Sequence, residues 1–118
     1  MSTRRCGPAA PCNAEPLFSL GQTVATSAAR ALLVDHGVHP SVLLARHQCG
    51  DWGDVGADSV ADNRRALLAG ERLLSVYRLL EDAALAKMTL AERRKSPTVW
   101  IVTEADRWST TILTPRCY

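Results

Sequence analysis

Arg72-Leu73-Leu74-Ser75-Val76-Tyr77-Arg78-Leu79-Leu80 decides the fold, together with Thr98-Val99-Trp100-Ile101-Val102-Thr103-Glu104 and Ser109-Thr110-Thr111-Ile112-Leu113-Thr114. Leu73, Ser75, Tyr77 and Leu79 alternate with their neighbours, the period of a pleated strand. The second run is rich in β-branched residues and carries Trp100, a composition that suits a half-buried sheet surface. Ala105 to Trp108 is a tight connection, and Pro115 ends the third run because it has no N–H to give to a ladder. Three adjacent strands with short links predict an antiparallel meander.

Upstream, the hydrophobic period changes to that of a helix. Thr26 or Ser27 is placed to cap a helix through Ala28, Ala29, Ala31, Leu32 and Leu33, with Gly37 as its stop. Pro40 suits the first turn of a second helix carrying Val42, Leu43, Leu44 and His47 and ending at Gly50. Asp51-Trp52-Gly53-Asp54-Val55-Gly56 is a loop by composition. Asp58 or Ser59 would cap a third helix, to which Val60, Ala61, Arg64, Leu67 and Leu68 give a stripe at helical spacing and which stops at Gly70. Leu17 to Val24 suits a short strand or extended segment. The fold class expected is α+β: N-terminal helices packed on a three- to four-stranded antiparallel β-meander.

Residues 81–97 interrupt the meander. Thr89-Leu90-Ala91-Glu92 is a capping-box pattern that predicts a short helix over 90–95, carried on a hairpin insertion. Residues 1–16 contain Gly7, Pro8, Pro11 and Pro16 and are expected to form a loosely attached tail, leaving 17–118 as a single α+β domain.

Composition bounds the function. The 118 residues are 47% hydrophobic and 22% charged, an ordinary globular balance that argues against disorder throughout. A net charge of +2 is too mild to require nucleic acid as a partner, and no basic stripe is visible. Lys87 and Lys95 stand beside twelve arginines. Arginine suits bidentate contact with phosphate or carboxylate, although a GC-rich genome would produce the same bias. Cys6, Cys12, Cys49 and Cys117 form no C-x-x-C and match no zinc spacing. The start lacks the apolar core of a secretory leader, and no apolar run reaches membrane-spanning length. Free thiols, a cytoplasmic setting and no membrane contact are therefore expected.

Several segments together resemble a family. They are Leu20-Gly21-Gln22-x-Val24-Ala25-Thr26, Leu43-Leu44-Ala45-Arg46-His47-x-x-Gly50-Asp51-Trp52-Gly53-Asp54, Arg72-Leu73-Leu74-Ser75-x-Tyr77 and Trp100-Ile101-Val102-Thr103-Glu104-Ala105-Asp106-Arg107-x-x-Thr110-Thr111-Ile112-Leu113. The pattern resembles small uncharacterised proteins carried on bacterial plasmids and integrative elements, often labelled plasmid-related or restriction-subunit-like. The likeness covers most of 17–118 and departs at 81–97, where a much shorter turn is usual, and at Trp108, where Ser is usual. It implies a mobile-element setting rather than a reaction. The chain is too short for a methyltransferase subunit and has no Gly-rich cofactor loop.

The candidate residues are Arg46, His47, Asp51, Trp52 and Asp54, with Glu104, Asp106 and Arg107 at the strand turn. The leading expectation is non-enzymatic binding of a protein partner, inhibiting a host defence component. Its contacts would be Trp52, Asp51, Asp54, Trp108 and Arg107. Trp52 either plugs the core edge or stands out as a contact anchor, with the plug favoured, and Trp108 is expected to be the more exposed of the two. Glu104, Asp106 and Arg107 are expected to form a hairpin corner with a local salt bridge.

The first alternative is a metal-independent ribonuclease or toxin, since the helices-then-meander layout is similar to the barnase/RelE-like group. His47 would then be acid or base, Arg46 and Arg107 would hold phosphate, and Thr110 or Thr111 would orient it. The second alternative is a nucleic-acid-binding accessory. No cofactor is expected. Asp51, Asp54 and Glu104 lack the ligand alternation of a calcium loop, so no metal site is expected either.

Overall fold

The structure is a computed structural model and describes residues 16–115. The expected tail over 1–16 therefore lies outside the described residues, except for Pro16.

Strand β1 (Gln22–Ala25) leads into helix α1 (Ser27–Asp35). Thr26 is the cap, its hydroxyl accepting from the Ala29 N–H, a bond that typically contributes about 1 kcal/mol. Helix α2 (Pro40–Gln48) has its proline in the first turn, where a missing N–H costs nothing. Helix α3 (Ala57–Ala69) stops at Gly70, which takes the left-handed conformation at φ 71°. Strand β2 (Leu73–Arg78), helices α4 (Asp82–Ala86) and α5 (Leu90–Lys95), and strands β3 (Thr98–Thr103) and β4 (Ser109–Leu113) complete the order. The capping box on α5 is present, with Thr89 and Glu92 bonding each other's backbone N–H.

The four strands form one sheet in the order β1-β4-β3-β2. The pairs β2/β3 and β3/β4 are antiparallel, as expected of the meander. The α+β class holds, but two parts of the expectation are corrected. β1 runs parallel to β4, in register Gln22 with Ser109 through Ala25 with Ile112, so the sheet is mixed. The helices are also not confined to the N-terminal part, because α4 and α5 sit between β2 and β3. A third correction concerns the α3 start. The cap is Gly56, which offers no side-chain bond, rather than Asp58 or Ser59.

Alternation sorts the sheet into two faces. Leu73, Ser75 and Tyr77, Val99, Ile101 and Thr103, and Thr110 and Ile112 share one face, all buried. Ala29, Leu33 and Leu43 of α1 and α2 pack there against Tyr77, Val99, Ile101 and Ile112. A second apolar cluster gathers Trp52, Ala66 and Leu73, with Phe18 and Val60 against it. No helix of the described residues is long and apolar enough to cross a membrane.

Candidate functional site

His47 sits in the last turn of α2, wholly buried. Its Nδ1 lies 2.5 Å from the Ser75 hydroxyl and its Nε2 lies 2.9 Å from the Thr103 hydroxyl. Thr103 continues to the Thr110 hydroxyl at 2.8 Å, and Thr110 donates to the Leu20 carbonyl at 2.8 Å.

A carbonyl can only accept, so the direction of the whole chain follows. Thr110 spends its proton on Leu20, Thr103 donates to Thr110, and His47 Nε2–H donates to Thr103. With the ring neutral, as its lowered pKa makes it near pH 7, His47 is the Nε2–H tautomer and Nδ1 accepts from Ser75. Phe18 and Trp52 meet the ring edge-on, at 5.1 and 5.6 Å between centroids. Burial, with the Arg107 guanidinium as the smaller cause, lowers its pKa from 6.5 to about 4.

The neighbouring loop closes the outer edge of β2. Val76 N–H donates to the Trp52 carbonyl at 2.9 Å, and Asp54 N–H donates to the Val76 carbonyl at 2.7 Å. Gly53 lies between them at φ 79°, and a Cβ there would overlap the Val76 carbonyl. One residue pair along, Asn63 of α3 accepts from the Leu74 N–H and donates to the Leu74 carbonyl. An edge strand that would otherwise offer unpaired groups is covered by a side-chain amide and a loop.

The acidic residues serve this arrangement. Asp51 pairs with Arg46 at 2.7 Å, and Arg46 also stands 4.6 Å over the Tyr77 ring. Tyr77 donates its hydroxyl to the Asp51 carbonyl at 2.6 Å, and burial lifts the phenol well above its usual range. Asp54 pairs with Arg78 at 2.9 Å, and Arg78 also donates to the Thr98 hydroxyl.

The β3–β4 turn is built differently from the expected corner. Glu104 pairs with Arg72, at 3.1 Å, and not with Arg107. Arg107 adopts φ 62° and donates to the carbonyls of Glu71, Glu104 and Ala66. It therefore closes the C-terminal end of α3, where a cation also meets the helix dipole favourably. Asp106 accepts from the Trp108 N–H at 2.9 Å.

The expected residues accordingly divide. His47 and Thr110 meet through Thr103, whereas Thr111 lies on the opposite sheet face. Arg46, Asp51 and Asp54 share one hollow of about 220 Å³ with Tyr77 and Arg78. Trp52 is 5% exposed and plugs the core edge, while Trp108 is 78% exposed. Ser75, Thr103 and Asn63 were not singled out from sequence, and their only signal was a polar residue on an otherwise apolar strand or helix face. Among the described residues no cluster of three or more His, Cys, Asp or Glu could hold a metal. Cys49 is disulfide-bonded, which corrects the expectation of free thiols at that position; the other three cysteines lie outside the described residues.

Against protein-family models, curated proteins and solved structures, the chain gives no match.

Proposed function

We propose that this chain is a non-enzymatic binding protein that recognises a protein partner through the β3–β4 turn. The carrying observation is Trp108, exposed on a turn whose backbone is held from several sides. Its N–H bonds Asp106, its carbonyl accepts from Gln22 N–H at 2.8 Å, and Gly21 packs so closely beneath it that a Cβ would overlap the carbonyl. A large aromatic on a fixed backbone loses little freedom on binding, which is what an interface anchor requires.

The residues that could carry chemistry lend no support to the ribonuclease reading. His47 has both ring nitrogens engaged inside the protein, and Arg107 spends its donors on backbone carbonyls. The mobile-element setting and the inhibition of a host defence component rest on the sequence resemblance alone and complete the proposal.

The test has two arms. Tagged full-length protein exposed to bacterial host lysate should retain one protein at near-stoichiometric amounts, and Trp108→Ala should lose it while remaining folded. Labelled RNA incubated with wild type, with and without EDTA, should stay intact. Cleavage that Arg46→Ala or Arg107→Ala abolishes would sink the proposal.

A further inference from the structure

Two hollows lie side by side on the part of the surface away from Trp108. One, of about 560 Å³, is lined by Ala28, Ala31 and Leu32 of α1 and by Pro97. The other, of about 430 Å³, is lined by Val55, Leu74, Val76 and Trp100, on the sheet face turned away from α1 and α2. Arg94 and Pro115 line both, so the two hollows adjoin at the Arg94 side chain.

The charges in this groove are unequal. Asp54 is tied to Arg78 at 2.9 Å. That leaves Arg94 and Lys95, from the last turn of α5, against Asp35. Arg94 is exposed and makes no ion pair or hydrogen bond among the described residues, unlike Arg46, Arg72 and Arg78. A free guanidinium between two apolar hollows suits a carboxylate flanked by apolar side chains.

We infer that this groove is a docking site for an acidic, extended segment of a protein, with one carboxylate on Arg94 and an apolar side chain in each hollow. The inference rests on the protein-binding reading above and adds a second contact surface to it. A nucleic-acid strand fits less well. A phosphate backbone needs a row of cations, and here only Arg94 and its neighbour Lys95 stand beside the apolar residues, with Asp35 against them.

The test uses the full chain, 15N-labelled, titrated with acetyl-Leu-Leu-Glu-Leu-Leu-amide and with the same peptide carrying Lys in place of Glu. The Glu peptide should shift the amides of Ala31 and Arg94 and the Trp100 indole, and leave Trp108 unmoved. Arg94→Glu should weaken that binding at least tenfold and shift preference toward the Lys peptide. Equal response to both peptides, or none, overturns the inference. So does a stronger response to oligo(dT), which assigns the groove to nucleic acid, or the same shifts on raising protein concentration alone, which assigns it to a second copy. Trp108-dependent capture of a partner that survives in Arg94→Glu would leave the turn-mediated reading standing while the groove inference fails.

Discussion

His47 Nε2 donates to the Thr103 hydroxyl across 2.9 Å, joining the end of α2 to the end of the inner strand β3 in a fully buried contact. The imidazole is neutral there, and its pKa of about 4 against 6.5 makes folding depend on pH. The unfolded chain takes up the proton first as pH falls. Stability from this group is therefore complete above about pH 6.5 and declines towards pH 4, by about 3 kcal/mol in all. Urea midpoints at pH 7.5, 6 and 5 should fall in sequence for wild type. The slope should be shallower in His47→Gln. A flat wild-type profile would show that the ring reaches water.

The direction of the hydroxyl chain gives a second expectation. Thr110→Val keeps shape and β-branching but removes the acceptor for Thr103 and the donor for the Leu20 carbonyl. Leaving buried partners unpaired costs about 1–3 kcal/mol. Thr111→Val, on the opposite face, should change stability by no more than about 0.5 kcal/mol. Denaturant unfolding of the two variants side by side decides it, and equal losses would contradict the chain.

Part of this architecture was legible in the sequence. The alternation at Leu73, Ser75 and Tyr77 is visible because the two sheet faces differ in polarity, and Thr26, Pro40, Gly70 and the Thr89/Glu92 box mark helix ends by local chemistry. The parallel pairing of β1 was not legible. β1 is four residues long, largely exposed and bonded to a strand at the far end of the chain, so no local period reports it. α4 was missed for a similar reason, since Glu81 gives it no side-chain cap. The polar candidates were found, but their partners were not. His47 is 28 residues from Ser75 and 56 from Thr103, and only the sheet brings them together.

The Asn63–Leu74 bridge should act as part of the sheet. Asn63 is 5% exposed, and Asn63→Ala leaves the Leu74 N–H and C=O without it. A loss of about 2 kcal/mol is expected, as for a buried polar group left unmade. Asn63→Asp keeps the acceptor but not the donor, and puts a charge in the same place, so it should not restore stability. Hydrogen exchange at Leu74 should accelerate in both variants. Unchanged exchange would mean that water or another group already serves this edge.

Gly53 and Gly56 should behave oppositely although they are three positions apart. Gly53→Ala forces a side chain onto the Val76 carbonyl at φ 79° and should displace the loop from β2, costing more than about 2 kcal/mol. Gly56 has an extended backbone with open space around it, and Gly56→Ser supplies the cap that α3 lacks. That change should be neutral or stabilising by a few tenths of a kcal/mol. Thermal unfolding of both variants reads the contrast, and a tolerated Gly53→Ala would show that the loop does not bond the strand edge.

Arg107 tests whether one side chain links the turn, the helix end and the buried histidine. Its left-handed backbone costs about 1 kcal/mol, which Arg107→Gly would recover. Three carbonyls depend on its guanidinium, however, and glycine supplies none of those donors. Arg107→Gly should therefore be destabilised on balance. Arg107→Lys should be destabilised as well, because an ammonium cannot reproduce the planar fork. Losing the cation also removes one of the two causes that depress the His47 pKa, so that pKa should rise in Arg107→Gln. Imidazole NMR titration measures that shift directly, and separates loss of the charge from general loosening by comparison with Arg107→Lys, where the positive charge remains. An unmoved His47 pKa in Arg107→Gln would mean that burial alone keeps the ring neutral.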